Sequence, residues 1–425
     1  MFLSLDENLI VRNISDTPTS VAGQSSRLSD KTYDWDSLLG KRIPQTMMLD
    51  TDFKTKTPDQ MRVAIVCNWD DKCGISTYSN YLVGAMKEKV AALKVFSDLR
   101  PDRSVDAEAI VEVEDCWERG GNLLPLADRI LDWSPDLVLV QHEFGIFPNA
   151  FRYAQFMQSM RSVPTVTCMH SVYRHLDKLV YSEAVPNIIV HTQQAADALR
   201  EMGNSSRVFV IPHGCVQPTE TDEIWNIMHT PYTIMQFGFG FRYKGVDRAL
   251  QAVSHLVHND PKFKNLYYFY LCSSNSHNQI ANQEYCDYLM TLAKELNIRD
   301  NIAIVTKYQS DKMLNLYLRL AKMVVFPYLI NEDNMVYGSS GAVRLAMAAK
   351  RPVIASESHL FDDLEGIVPR PKDHLELASE IDSIFSNSKH RDHLVAKSSQ
   401  YVTGNSWDVV VQRYLEVYNQ IVAAR

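Results

Sequence analysis

From Met61 onward, short apolar segments alternate with stretches of helical periodicity, and this alternation runs through the chain twice. The first series predicts strands at Arg62–Cys67, Leu137–Gln141, Thr165–Met169, Ile188–His191 and Val208–Ile211. The second series predicts strands at Tyr232–Phe237, Asn265–Cys272, Ile302–Thr306, Met323–Pro327 and Pro352–Ala355. Parallel strands need crossover helices, so the pattern indicates parallel sheets covered on both faces. We therefore predict the α/β class, with two doubly wound domains that face a cleft.

The same alternation divides the chain into four regions. Residues 1–60 are rich in Ser, Thr and Asp, which is typical of an extension that is partly disordered or lies on the surface. Residues 61–217 and 218–405 hold the two series, separated where Cys215–Thr230 interrupts the rhythm. Ser406 can cap a last helix over residues 406–425, whose apolar side chains form one stripe.

Charge and cysteine content exclude several classes of protein. A formal net charge of −8 argues against nucleic acid as the main partner, because phosphate backbones require a basic face. The seven cysteines are scattered and never spaced as C-x-x-C, which indicates reduced thiols in a cytosolic protein. No apolar run approaches the roughly 20 residues of a spanning helix. Peripheral membrane contact stays open, and the sequence gives no indication of oligomeric state.

One turn follows a strand at a place suited to a phosphate. Gly338, Ser339, Ser340 and Gly341 stand where a helix of small residues should begin, after the strand Met323–Pro327. The first backbone amides of a helix lack intrahelical partners, and the helix dipole adds positive charge there. The alternative is an ordinary helix start closed by glycine and serine.

Glycines accompany two other predicted strand ends. Gly238 and Gly240 stand beside Arg242 and Lys244, and these two cations could neutralise a diphosphate. The alternative there is a glycine turn with solvated basic residues. In the first series, Gly74 lets the backbone approach a ligand closely. A full G-x-G-x-x-G motif is absent from that turn, so a dinucleotide cofactor is not indicated.

Histidines also follow apolar strands. His170 is the preferred candidate for contact with a substrate hydroxyl, and His142 with Glu143 comes next for acceptor or sugar contact. A single histidine at such a place is more often structural, and His213 is expected to serve the turn that leaves the domain. His170 and His175 show no third ligand, so we predict no metal site.

Several segments together resemble the family-four retaining glycosyltransferases, also called glycosyl transferases group 1, which have the GT-B fold of two Rossmann-like domains. The segments are VAIVCNWDDKCGISTYSNYL, VQHEFGIF, TVTCMHSVYRH, VIPHG, FGFGFRYKGVDRALQAV and GSSGAVRLAMAAKRPVIAS. The resemblance covers nearly all of Met61–Arg425. It implies an N-terminal acceptor domain, a C-terminal nucleotide-sugar domain, and a last helix that crosses back onto the first domain.

The resemblance also implies roles for single residues. Lys244 matches the lysine that grips the donor diphosphate, and His170 matches the histidine that reaches the transferred sugar. Further donor contacts are expected from the residues Gly74, Gly238, Gly240, Tyr308, Ser340 and Gly341. Arg242 is expected to assist Lys244, although the family's usual arginine lies earlier in the turn. The family's paired glutamates are missing, because Tyr337 and Leu345 stand at those positions.

These observations predict transfer of a sugar from a nucleoside diphosphate sugar to a hydroxyl acceptor, with retention of the anomeric configuration. No metal or other cofactor is required for such a reaction. The missing glutamates keep a second hypothesis open, a non-catalytic GT-B protein that binds a nucleotide sugar or regulates a partner transferase. A third is a sugar-nucleotide epimerase with the same fold.

Overall fold

The computed structural model describes residues 56–100, 110–175, 184–217, 232–273, 279–306, 309–330 and 335–424. Residues from Lys56 onward belong to one compact unit. The predicted extension over residues 1–60 lies almost entirely outside the described ranges. Two parallel sheets and a short antiparallel one account for the strands in these ranges, which confirms the predicted fold class.

The first half of the described chain builds one parallel sheet. This half of the chain contains the strands β1 (Arg62–Cys67), β2 (Ala92–Asp98), β3 (Glu112–Trp117), β4 (Leu137–His142), β5 (Thr165–Met169), β6 (Ser171–Tyr173), β7 (Asn187–Val190) and β8 (Arg207–Val210). Within the described residues the order is β3-β2-β1-β4-β5-β7-β8, and β6 lies outside this sheet. The helices are α1 (Gly74–Met86), α2 (Leu124–Trp133), α3 (Ala150–Ser159) and α4 (Gln193–Glu201). The all-buried strands β4 and β5 lie at its centre, as expected for a sheet covered on both faces.

The second half repeats the plan. Its strands are β9 (Thr233–Phe239), β10 (Tyr267–Ser273), β11 (Ile302–Val305), β12 (Met323–Phe326), β13 (Val336–Gly338) and β14 (Val353–Ala355). The parallel sheet has the order β11-β10-β9-β12-β14 in the described residues. The helices are α5 (Val246–Asn259), α6 (Gln279–Glu295), α7 (Asp311–Leu320), α8 (Gly341–Ala348), α9 (His374–Ser386), α10 (Ser388–Gly404) and α11 (Trp407–Ala423).

The last helix, α11, packs on the first domain, as the resemblance implied. Its apolar stripe joins the core that contains β1 and α1. The Tyr414 hydroxyl lies 2.8 Å from the Tyr78 hydroxyl of α1. A Cβ on Gly214 would stand 2.4 Å from the ring of Trp407, so only glycine lets the interdomain segment pass so close to this helix.

A third, two-stranded sheet joins the two halves. Strand β6 of the first half pairs with β13 of the second in antiparallel register, with Tyr337 opposite Val172 and Gly338 opposite Ser171. Each strand has only three residues, and neither was predicted from the sequence. Among the described helices, none combines the length and apolar character that crossing a membrane requires.

Candidate active site

A cavity opens where the carboxyl ends of the two parallel sheets meet. The first domain contributes the start of α1, with Gly74 and Tyr78, and His170 after β5. The second contributes the end of β9 and the start of α8, and Trp407 of α11 closes one side. The centres of water-sized spheres can occupy about 130 Å³ of this space, whereas one water needs only roughly 10–15 Å³. The cavity can therefore hold a ligand much larger than a single water molecule.

The start of helix α8 forms part of the cavity wall. Ser339 and Gly341 line the cavity. Ser340 occupies the N-cap position, but its side chain does not cap the helix. The hydroxyls of Ser339 and Ser340 are both buried and have no hydrogen-bond partner. Unused donors at a helix start are suited to an anion such as a phosphate.

Lys244 lies on the second-domain side of the cavity and is almost completely buried. Its Nζ donates a hydrogen bond of 2.6 Å to the Tyr328 hydroxyl and lies 4.0 Å from the centre of the Tyr328 ring. Burial lowers the pKa of Lys244 to about 7, and no carboxylate contributes to that shift. A buried ammonium without a counter-charge is costly, so an anion brought close to Lys244 would be bound favourably.

Gly238 separates Lys244 from the cavity. Gly238 lines the cavity and has a φ of 141°, which side chains other than hydrogen rarely allow. A Cβ built there would stand 3.7 Å from Lys244 Cε and 3.9 Å from Nζ. Because Gly238 has no side chain, the Lys244 ammonium can lie close to the cavity, with only the Gly238 backbone between them.

Tyr328 connects Lys244 with the α8 turn. Burial raises the pKa of Tyr328, and the neighbouring Ser340 hydroxyl partly offsets this rise. The side chains of Tyr328 and Ser340 are therefore close to each other. Ser340 Oγ nevertheless lacks full hydrogen-bond geometry with any partner. The cation and the helix start that the sequence singled out are therefore both adjacent to one buried tyrosine, Tyr328.

Two other residues with predicted donor roles, Arg242 and Gly240, do not line the cavity, and a third is not described. The exposed Arg242 guanidinium lies 5.1 Å from the centre of the Tyr288 ring on α6, and Arg242 does not line the cavity. A Cβ on Gly240 would meet Cys272 Sγ at 2.7 Å, so this glycine serves close packing. Tyr308 lies outside the described residues. The roles assigned to these three residues stay predictions.

His170 lines the cavity from the first domain. Its Nε2 lies 2.7 Å from Gln141 Oε1, and its ring contacts the edge of Tyr78 with 4.7 Å between centres. Burial, with the neighbouring His191, holds the pKa of His170 well below its usual range. His170 is thus a neutral imidazole near neutral pH, suited to hydrogen bonding with an uncharged hydroxyl.

His170 also belongs to a buried group that could hold a metal ion. The group consists of Cys168, His170 and His191. Each offers one ligand atom, and these three atoms all lie within 4.8 Å of one another. His191 Nδ1 is 2.9 Å from the Ile211 carbonyl, which leaves Nε2 facing Cys168 Sγ at 3.7 Å. Sequence reasoning considered His170 only together with His175 and did not identify this group. His191, its third member, follows β7, the strand beside β5 in the sheet.

The other pair predicted to contact acceptor or sugar, His142 and Glu143, does not line the cavity. His142 is fully buried among Phe144, Phe147 and Tyr153, and both ring nitrogens lack partners. Burial raises the pKa of Glu143 to about 7, although it accepts a 2.5 Å hydrogen bond from Ser171. This placement gives no support to a direct contact, which remains only a prediction.

Sequence reasoning missed Arg344, a buried residue of the cavity wall. Its guanidinium forms an ion pair with Asp363 and donates a 2.7 Å hydrogen bond to the Ser340 carbonyl. It thereby fixes the turn that begins α8. A single charge inside the small-residue segment GAVRLAMA was the available signal, since a buried arginine requires a partner.

The structure shows the surroundings of Tyr337 and Leu345, the residues that stand at the positions of the family's paired glutamates. Leu345 lines the cavity with an apolar side chain. Tyr337 lies in β13, is buried, and its hydroxyl accepts a 3.2 Å hydrogen bond from Arg174 Nε of the first domain. Neither side chain is the carboxylate that the family resemblance implies at its position.

Comparisons with known proteins support the same fold. Residues 217–401 match the family described as Glycosyl transferases group 1. No curated protein sequence matches the chain significantly.

Solved structures match most of the chain. A UDP-forming α,α-trehalose-phosphate synthase from Burkholderia xenovorans superposes with a TM-score of 0.68 at 14% identity, covering 86% of this chain and 100% of that one. Sucrose-phosphate synthase from Thermosynechococcus elongatus gives 0.67 at 16%, with the same coverage of both chains. Anabaena HepE, in complex with UDP and glucose, gives 0.65 at 13%, covering 84% and 99%. At such low identities these likenesses establish the fold.

Proposed function

Residues 217–401 are a glycosyl transferases group 1 region in a chain with the GT-B fold, and from this premise we propose transfer of a sugar from a nucleoside diphosphate sugar to a hydroxyl acceptor with retention of the anomeric configuration. The proposal assigns residues 61–217 to the acceptor and residues 218–405 to the donor. The observation that carries it is the buried Lys244 beside the cavity-lining Gly238, near a helix start whose Ser339 and Ser340 hydroxyls have no hydrogen-bond partner.

The proposed chemistry separates charge between the two walls. As the bond from sugar to diphosphate breaks, negative charge gathers on the leaving group and the sugar becomes oxocarbenium-like. Lys244 and the first amides of α8 would stabilise the leaving group, because both are already in place before the reaction. Neutral His170 would hold a sugar hydroxyl from the opposite wall.

No resident metal or cofactor forms part of this proposal, since Lys244 and the α8 amides supply the positive charge. Prolonged dialysis against a chelator should leave the transfer rate unchanged. A rate that falls on dialysis and returns with added zinc would instead give the group Cys168, His170 and His191 a direct role.

The donor is the first property to test. HepE was solved with UDP and glucose, and the Burkholderia enzyme is UDP-forming, so uridine diphosphate sugars come first in the panel. Guanosine and adenosine diphosphate sugars complete it. The true donor should raise the melting temperature of the native protein, because ligand binding stabilises the folded state. Proton NMR of the glycoside product would then report retention or inversion.

A non-catalytic, donor-binding protein is the second candidate, and Leu345 favours it. An apolar side chain lines the cavity at a position where the resemblance implies a glutamate. Calorimetry that detects donor binding, while hydrolysis and transfer stay undetectable across a broad acceptor panel, would support this candidate. Formation of an isomerised nucleotide sugar when no acceptor is present would instead support the third hypothesis, a sugar-nucleotide epimerase.

The proposal includes a cytosolic location. All seven cysteines are free thiols and six of them are buried, which agrees with a reducing compartment. Cell fractionation with an antibody to the protein tests this part, and it also tests the peripheral membrane contact that the sequence left open.

A further inference from the structure

The short sheet between the domains ends at the cavity on both sides. His170 immediately precedes Ser171, the first residue of β6, and Ser339 immediately follows Gly338, the last residue of β13. Ser171 and Gly338 are directly opposite each other in the antiparallel register. Both His170 and Ser339 line the cavity.

Pairing therefore sets the distance between two parts of the cavity wall that belong to different domains. Residues opposite each other in an antiparallel pair have Cα atoms about 4.5–5.5 Å apart. His170 and Ser339 are each one residue beyond such a pair. A backbone ladder of this kind fixes their spacing more tightly than contacts between flexible side chains would.

Side chains hold both strands in place. The Ser171 hydroxyl donates a hydrogen bond to Glu143, which ties β6 to the end of β4. The ring of Tyr337 packs on the ring of His359 with 4.6 Å between centres, which ties β13 to the second domain. Across the gap, Arg174 donates to the Tyr337 hydroxyl and also pairs with Glu201 of α4.

Tyr337 itself does not line the cavity. Its ring is 6% exposed, and its hydroxyl is engaged by the opposite domain. Direct contact with donor or acceptor is therefore not expected, and we expect an effect of Tyr337 on a reaction to pass through β13 to the adjoining Ser339–Gly341 turn.

We propose that the sheet of β6 and β13 positions the α8 turn against His170, with Tyr337 and Arg174 as positioning residues for sugar transfer. This inference rests on the proposed function. Lys244 and the α8 turn, which we propose as the main diphosphate contacts, both belong to the second domain, so donor binding should depend on the sheet much less than the chemical step does. The transition state needs both walls at once, so the sheet acts on the chemical step.

The test compares Arg174→Ala, Tyr337→Phe and their combination with wild type. Arg174 is exposed, and phenylalanine keeps the ring packing on His359, so all three variants should fold. Each single change should lower kcat about 10-fold and change the donor KM less than about 2-fold, because small misplacements act on the reacting geometry. The double variant should be no worse than Arg174→Ala alone, since the hydrogen bond that Tyr337→Phe removes is already absent in Arg174→Ala.

Arg200→Ala is the matched control. Arg200 is exposed and pairs with Asp197 on its own helix α4. It should keep the wild-type kcat. Lysine at position 174 keeps the charge and one donor, so Arg174→Lys should recover part of the rate. Wild-type kcat in both Arg174→Ala and Tyr337→Phe would overturn the proposal, as would a loss confined to KM.

A second measurement does not depend on catalysis. Spin labels on Asp128→Cys of α2 and Lys294→Cys of α6, both exposed positions, report the distance between the domains. The distribution should be narrow in wild type and broader in Tyr337→Phe and Arg174→Ala, but not in Arg200→Ala. An equally narrow distribution in all of them overturns the proposal. If the distance distribution broadens in Tyr337→Phe and Arg174→Ala but the wild-type protein transfers no sugar, the sheet still sets the spacing of the domains and only the proposed function is rejected.

Discussion

The two walls of the cavity treat charge in opposite ways. On the second-domain wall, Lys244 is a buried cation whose pKa lies near 7, and no carboxylate compensates it. On the first-domain wall, burial keeps His170 and its neighbour His191 neutral, with the pKa of His191 lowered to about 4. One wall is therefore prepared for an anion and the other for uncharged hydroxyls. A nucleoside diphosphate sugar presents these two kinds of group at its two ends.

Replacing Lys244 should have the largest effect on the anion-binding wall. Lys244→Met should reduce kcat/KM by an amount equivalent to about 2–4 kcal/mol, as for loss of one preorganised donor. The same change should raise the melting temperature, because methionine fills the site without burying a charge. Steady-state kinetics and thermal unfolding of the purified variant check both signs.

Lys389→Met provides the control, since Lys389 lies exposed near the start of α10. Neither activity nor melting temperature should change there. A Lys244→Met enzyme with wild-type kcat/KM would remove the lysine from the mechanism, and a lower melting temperature would show that its ammonium stabilises the fold.

Glu143 tests whether the first-domain side really disfavours charge. Its folded pKa of about 7 exceeds the unfolded value of 4.5, so the folded state retains a proton that the unfolded state loses. Stability should therefore fall as pH rises from 4.5 to 7 and then stay level. Glu143→Gln should remove this decline and gain about 2 kcal/mol at pH 8, after subtraction of a weaker hydrogen bond from Ser171.

Urea unfolding at pH 5 and pH 8 measures this effect in both proteins. Glu118→Gln is a suitable control, because Glu118 follows β3 and is not buried. Parallel pH profiles of wild type and Glu143→Gln would mean that Glu143 is ionised in the folded protein.

Donor binding should also change the protonation of Lys244. At pH 8 the free protein holds this side chain mostly neutral, and a diphosphate would raise its pKa, so binding should take up nearly one proton. At pH 6 the lysine is already charged and uptake should be small. Calorimetry in buffers of different ionisation enthalpy gives the proton count, with Lys244→Met as the control. Equal uptake at both pH values would contradict the assignment.

The smallest effect is expected at His142. Its pKa is lowered to about 3 by burial, and neither ring nitrogen has a partner. His142→Phe should leave acceptor KM and kcat unchanged and should not reduce stability, because phenylalanine fits among Phe144, Phe147 and Tyr153 without an unpaired polar atom. A raised acceptor KM would restore the contact that the sequence predicted.

Much of the fold follows from local patterns. The strands Arg62–Cys67 and Thr165–Met169 have the bounds predicted from their apolar runs. The strands β2 and β3 were missed because they carry charges. Lys94 of β2 lies 2.7 Å from Glu112 and 2.8 Å from Glu114 of β3, so these charges neutralise each other between adjacent strands. Such pairing is a property of the assembled sheet and leaves no apolar run to read.

The site was predictable in its position at the strand ends, but not in the direction of each side chain. Successive residues of a strand face opposite sides of the sheet. At the end of β4, Gln141 therefore reaches His170, while His142 points into the aromatic core behind. The pairing of β6 with β13 joins residues more than 160 positions apart, and three-residue strands give no periodicity to detect.

The position of α11 has a consequence for biosynthesis. Tyr414, Tyr418 and Ile421 belong to the core of the domain that begins at Met61. That core stays incomplete until the ribosome has made these residues, so the second domain can complete its own packing first, although it is translated later. Refolding should accordingly be slow for a protein of this size, because this core joins residues far apart in sequence, such as Tyr78 and Tyr414, and folding slows as contact order rises.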